Sequence, residues 1–181
     1  RVLPAERYLP TEPGELFMLQ ERLRVLYRLL QAESLLPLEG KRVLEVGCGT
    51  GTWVADFEAA GAKREHMAGI ELNSDRAAVA RARFASLRNG GGKLLATGAD
   101  IRIGDASRLP WRDGSFDLVL QSTVFTSILD REMRHAVASE MMRVTHPEGA
   151  IIWYDFFVDN PWNPAVQGVR KKEIQSLFPG W

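Results

Sequence analysis

Val43-Leu44-Glu45-Val46-Gly47-Cys48-Gly49-Thr50-Gly51 is the stretch on which the reading of the chain turns. Val43 to Val46 is a short apolar run broken only by Glu45, which reads as a buried strand. Gly47, Gly49 and Gly51 follow at alternate positions, and Thr52-Trp53-Val54-Ala55-Asp56-Phe57 opens a helical pattern. A strand that enters a helix through glycines brings backbone close to a ligand, an approach that side chains would block. The spacing is Gly-x-Gly-x-Gly, one residue short of the dinucleotide fingerprint, and no Gly-Lys-Ser/Thr ends the turn as in a phosphate-gripping loop. Glu45 carries a carboxylate toward this loop. That suits a cationic, amino-acid-bearing ligand better than a pyrophosphate.

Strands and helices alternate on both sides of it. The first strand is Arg42–Val46, and its helix, Thr52–Ala60, stops at Gly61. His66 to Leu72 reads as a second strand, followed by a helix capped by Asn73 or Ser74 and running to about Arg88. Asn89-Gly90-Gly91-Gly92 breaks that helix, and 93–99 is a loop or an edge. Asp100–Asp105 reads as strand three and Phe116–Gln121 as strand four. A helix over Asp130–Val144 sets Met133, Val137, Met141 and Val144 on one face. Pro147-Glu148-Gly149 turns the chain into strand five, Ala150–Phe157, and a short helix lies near Lys171–Phe178. Upstream, residues 1–13, with Pro4, Pro10 and Pro13, form an irregular arm. The arm leads into a helix from Gly14 to Ala32 with a stripe of Leu16, Leu19, Leu23, Leu26, Tyr27 and Leu30. The expected division is an arm and helix over 1–36 that covers the site, and a binding domain over 37–181.

This alternation predicts an α/β, doubly wound, mainly parallel sheet. Ligands of such sheets bind beyond the carboxyl ends of the strands, where the strand order reverses. Glu71, Asp105 and Gln121 each end a strand beside the glycine loop, so they are expected to converge on one crevice. Glu71, twenty residues past Gly51, is placed to accept the hydroxyls of a ribose, and Asp105 to accept an exocyclic amine.

The totals narrow the classes further. The 181 residues, 45% hydrophobic and 25% charged, fit one domain with a real core and argue against disorder. Lys and Arg balance Asp and Glu at 23 each, so no general attraction to nucleic acid is expected. A single cysteine, Cys48, excludes an intrachain disulfide and suits a reducing compartment. With no apolar run long enough to span a membrane and no signal peptide, a cytoplasmic protein is expected.

Val43–Gly51 (VLEVGCGTG), Gly69–Asn73 (GIELN), Gly104–Leu109 (GDASRL), Asp113–Val119 (DGSFDLV) and Arg143–Gly149 (RVTHPEG) resemble the motifs of class I S-adenosylmethionine-dependent methyltransferases. The nearest likeness is to the small-molecule group that includes quinone-biosynthesis and antibiotic-tailoring enzymes. The resemblance covers about residues 40–157 and implies a Rossmann-like sheet, S-adenosyl-L-methionine as cofactor and no metal. It implies that Glu45 and the loop residues Gly47, Cys48, Gly49 and Gly51 hold the methionine part, Cys48 as a small filler. Glu71 would take the ribose, Leu72 would flank the adenine, and Asp105 with Ala106 would read its amino edge. Gln121 would lie near the methionine amino group and the sulfonium.

Removing a proton from an oxygen acceptor calls for a base, for which His135, Asp155 and Tyr154 are the candidates. Phe17, Trp53, Phe125 and Trp162 are aromatics that could wall the pocket, and Asn160–Pro164 is expected to form part of the acceptor wall. Strand four lacks the Asn/Asp-Pro-Pro-Tyr/Phe pattern of amino-methylating DNA enzymes. The family sheet carries further strands beyond the fifth, so an incomplete chain is expected here. The resulting expectation is methyl transfer to a small organic acceptor, by O-methylation in secondary metabolism. The alternatives are an RNA or protein methyltransferase and an NAD-dependent oxidoreductase on a similar sheet.

Overall fold

A computed structural model describes residues 13–88, 90 and 92–181. The arm at 1–12 lies outside the described residues, as do Asn89 and Gly91 of the glycine break. The chain divides into two compact units, residues 1–37 and 38–181.

The first unit holds helix α1, Pro13–Ala32. Ser34 adopts φ +54° just beyond it, and the Leu35 N–H reaches back to the Leu30 carbonyl at 2.8 Å, a left-handed closure of the last turn. Of the expected stripe, Leu26 and Leu30 are buried, whereas Leu16 and Tyr27 are exposed.

The second unit runs β1 (Val43–Val46), α2 (Thr52–Ala59), β2 (Met67–Glu71), α3 (Ser74–Arg83), β3 (Leu87–Arg88), β4 (Leu94–Ala96), β5 (Asp100–Ile103), β6 (Phe116–Ser122), α4 (Arg131–Val144), β7 (Thr145–Tyr154) and α5 (Lys171–Leu177). Five strands form one sheet in the order β5-β2-β1-β6-β7, and every neighbouring pair is parallel. The order leaves β1 toward β2 and β5 on one side and toward β6 and β7 on the other. Right-handed crossovers therefore place α2 and α3 on one face and α4 on the other. The gap between the β1 and β6 tips is the point of reversal.

Burial follows from this layering. β1 and β2 are buried along their whole length, as central parallel strands must be when helices cover both faces. Leu44, Val46, Ile70 and Val119 belong to the core cluster that includes Val137, Met141 and Val144 of α4.

Two elements depart from expectation. α3 ends at Arg83, not Arg88, because the Phe84 carbonyl accepts the Ala99 N–H at 3.0 Å and Ser86 Oγ accepts the Gly98 N–H at 3.0 Å. That tie draws the chain out of the helix and into the antiparallel β3–β4 hairpin. β7 begins at Thr145, five residues before Ala150. Phe116 pairs with Thr145 and Leu118 with Ala150, so the expected turn at 147–149 is an irregularity inside the strand. Beyond Tyr154, α5 is the one regular element among the described residues.

Candidate functional site

The loop after β1 is pinned from below. The N–H groups of Gly47 and Cys48 both donate to the Ile70 carbonyl, at 2.9 and 3.0 Å, and Gly51 N–H closes back on the Cys48 carbonyl at 2.8 Å. Gly47, Gly49 and Gly51 all have positive φ, so a side chain would be strained at each. Yet what crowds them is protein. A Cβ on Gly47 would run into Val124, one on Gly49 would lie 2.6 Å from Arg76 Nη2, and one on Gly51 would lie 2.5 Å from the Phe84 ring. Only Gly47 also lines the neighbouring cavity.

The two acids do different work. Glu45 is 2% exposed, and its Oε2 accepts the Val54 N–H at 3.2 Å, so a strand residue caps the first turn of α2. Glu71 is 6% exposed and spans two elements. Its Oε2 accepts the Gly49 N–H at 2.8 Å and its Oε1 the Asn73 N–H at 2.9 Å. Each oxygen retains a second lone pair for a ligand hydroxyl. Asn73, the α3 cap, accepts from Asp75 and Arg76 N–H at 3.0 Å each, which fixes the turn that Glu71 begins.

A cavity of about 330 Å³ opens over these strand tips. Gly47, Glu71, Leu72, Asp105 and Ala106 line it, which brings together five of the residues singled out from sequence. Asp105 is shaped by accepting the Ser107 N–H at 2.8 Å. The lining also includes Arg76, Thr123, Met133 and Val137, none of which the motif reading assigned to the site.

Glu45, Cys48, Gly49, Gly51 and Gln121 stand behind that lining. Cys48 is buried, and its thiol is pushed up to about 12, first by burial and then by the charges of Glu45 and Glu71. It is a packing residue. The folded chain is expected to leave Cys48 unmodified by a thiol reagent at pH 8 and to react fully once unfolded, followed by mass. Rapid modification of the folded chain would show the thiol to be accessible and ionised.

Gln121 is fully buried, and its Oε1 accepts the Val124 N–H at 3.1 Å. Its Nε2 has no partner. Its oxygen is engaged and its N–H₂ is the end left without a partner, so a donor, not an acceptor, is the unsatisfied group at this position.

The three base candidates are not brought to the cavity. His135 lies on the exposed side of α4. Asp155 spends its carboxylate on the Thr126 and Phe156 N–H groups, at 3.2 and 2.9 Å. The Tyr154 ring stacks edge-on to Trp53, with centroids 5.4 Å apart. Trp53 and Phe125 are core residues, while Phe17 and Trp162 are exposed. Among the described residues, no group of three or more His, Cys, Asp or Glu side chains is arranged to hold a metal, and no helix is long and apolar enough to cross a membrane.

Residues 43–149 match a methyltransferase domain family. A demethylmenaquinone methyltransferase from Beutenbergia cavernae is 32% identical over 139 residues, which is 77% of this chain and 50% of that protein. The O-methyltransferase cnsE of Penicillium expansum is 29% identical over 138 residues, 76% of this chain and 46% of its own. The chain spans about half the length of these curated relatives. In fold it is similar to an S-adenosylmethionine-dependent methyltransferase from Methanosarcina mazei, with a TM-score of 0.61, 21% identity and 76% of each chain covered. It is likewise similar to the PH0226 protein of Pyrococcus horikoshii, with a TM-score of 0.64, 19% identity, and 97% of this chain and 88% of the other covered.

Proposed function

The chain belongs to the methyltransferase domain family, and we propose that it transfers a methyl group from S-adenosyl-L-methionine to a hydroxyl oxygen of a small organic acceptor. One observation carries the cofactor reading. Glu71 is held by Gly49 and Asn73 N–H groups at the wall of a nucleoside-sized cavity, with a lone pair on each oxygen left for a ribose diol. Leu72 and Ala106 give that cavity apolar flanks, and Asp105 an acceptor for an amino edge. The unengaged Nε2 of Gln121 fits the carboxylate of the amino-acid end. Glu45 serves by holding α2 in place.

When bound, the cofactor supplies a methyl carbon already activated on a positive sulfur. Glu71, Leu72, Asp105 and Ala106 would hold the nucleoside end so that the activated methyl could face an acceptor hydroxyl, whose proton would leave to water. With His135 exposed on α4, the Tyr154 ring against Trp53 and both Asp155 oxygens bonded to the Thr126 and Phe156 N–H groups, the protein's part is alignment and exclusion of competing nucleophiles. Oxygen as the acceptor atom draws support from the printed name of one relative, the O-methyltransferase cnsE, and from the missing amino-methylating motif. The family match displaces the oxidoreductase alternative, and nothing in the site favours RNA or protein as the acceptor. A free, buried thiol at Cys48 suits a reducing, cytoplasmic setting.

The test is incubation with methyl-deuterated cofactor and a set of hydroxylated acceptors, read by mass. Labelled product with release of demethylated cofactor supports the reading. Cofactor binding without transfer to any hydroxyl compound counts against oxygen, and absence of cofactor binding overturns the whole assignment.

A further inference from the structure

A second cavity of about 520 Å³ adjoins the first. It lies between the short 3-10 turn Phe125–Ser127 and the segment that follows β7, and it shares Thr123 and Ser127 with the cofactor cavity. The segment from 156 to 169 is fastened at its neck. Val169 N–H donates to the Phe156 carbonyl at 2.9 Å, Gly168 N–H to Asp159 Oδ1 at 2.9 Å, and Gln167 N–H to the Thr126 carbonyl at 2.8 Å. Gly168 is pressed so closely on Val158 that a Cβ would lie 2.5 Å from the Val158 carbonyl carbon. Tight closure of this kind makes the cavity a built feature of the loop.

The seam between the cavities is strained. Thr123, a β-branched residue, adopts φ +57°, where such residues rarely sit. It is held there by its N–H to the Tyr154 carbonyl at 2.9 Å, and its own carbonyl accepts from Ser127 Oγ at 3.2 Å.

The chemistry of the lining is one-sided. Among the described residues, no lysine or arginine lines this cavity, and Asp159 is the single charged residue that does. Asn160 and Asn163 spend their oxygens on Trp162 and Ala165 N–H groups, at 3.0 and 3.1 Å, and so offer N–H₂ donors. Phe156, Val158 and Pro161 add apolar wall. A carboxylate or phosphate on the ligand would find no countercharge here and would face Asp159, whereas hydroxyls find acceptors and donors.

We propose that this cavity is the acceptor subsite and that it selects a neutral, hydroxyl-bearing compound of one or two rings over its acidic analogue. The inference rests on the methyl-transfer reading above. Its volume lies in the usual range of small-ligand pockets, about 300–1,000 Å³.

The test uses the chain with demethylated cofactor, titrated calorimetrically with catechol and with 3,4-dihydroxybenzoate, a pair differing by one carboxylate. Catechol is expected to bind at least about tenfold more tightly. Asp159→Asn keeps an oxygen for the Gly168 N–H and should narrow the ratio, Asp159→Lys should invert it, and neither should alter cofactor affinity. An acid that binds as well as catechol, a ratio insensitive to both substitutions, or failure of both probes while cofactor binds normally overturns the subsite. Failure of the cofactor itself to bind overturns the methyltransferase reading instead.

Discussion

Glu173→Ala is expected to lower the free energy of unfolding by about 3 kcal/mol, more than Arg134→Met, although the arginine is the more deeply buried partner. Arg134 is 1% exposed at its place in α4. Its Nε donates to the Ile128 carbonyl at 2.6 Å, its Nη1 to Glu173 Oε1 at 2.6 Å, and its Nη2 reaches the Gln167 carbonyl at 3.4 Å. The side chain thus ties the exit of the 3-10 turn, the acceptor-side loop and α5 to one helix. Removing Glu173 strands a guanidinium away from water with only carbonyls to meet it. Removing the guanidinium leaves Glu173, 32% exposed at its side chain, able to hydrate, and methionine refills much of the volume. The cost is then the loss of donors to two carbonyls, about 1–2 kcal/mol. Urea titration of both variants gives the comparison, provided the slope is unchanged. Equal losses, or a larger one for the arginine variant, would show that the carbonyl bonds matter more than the buried charge.

Glu71→Ala should weaken S-adenosylmethionine binding by about a hundredfold, or roughly 3 kcal/mol, by calorimetry. Two losses combine. The ligand loses a charged acceptor for its hydroxyls, and the Gly49 and Asn73 N–H groups lose the carboxylate that joins the loop to the α3 cap. Glu71→Gln separates them only in part, because one end of the amide must turn an N–H₂ toward a backbone donor. Its affinity is expected to fall nearly as far. Wild-type affinity in the alanine variant would remove Glu71 from the ribose site.

The sheet and the strand-tip acids were legible because they obey simple periodicities. Apolar runs of strand length between helical segments gave the parallel order, and acids at the ends of those runs had to lie at its carboxyl edge. Arg134 was also within reach: it stands three, four and seven residues before Val137, Ala138 and Met141, all buried on the same face. A charged residue at an apolar-face position was the signal. What sequence could not give was contact at a distance. The capture of Phe84 by Ala99, which ends α3 early, depends on a hairpin whose strands have only two and three residues. The left-handed Thr123 has no composition signature, since threonine is a poor choice for that conformation. Glu45 shows the same limit: the sequence places an acid at the loop, and the Val54 N–H that its Oε2 accepts comes within reach only through the path of α2.

The three glycines of the loop carry a consequence for tolerated substitution. Each makes room for a side chain from another element: Gly47 for Val124 after β6, Gly49 for Arg76 in α3, and Gly51 for Phe84 just beyond it. A side chain at any of them meets two penalties at once, a left-handed backbone and a displaced neighbour. Widening the loop at one glycine therefore disturbs the packing of α3 or of the segment after β6, and not the loop alone.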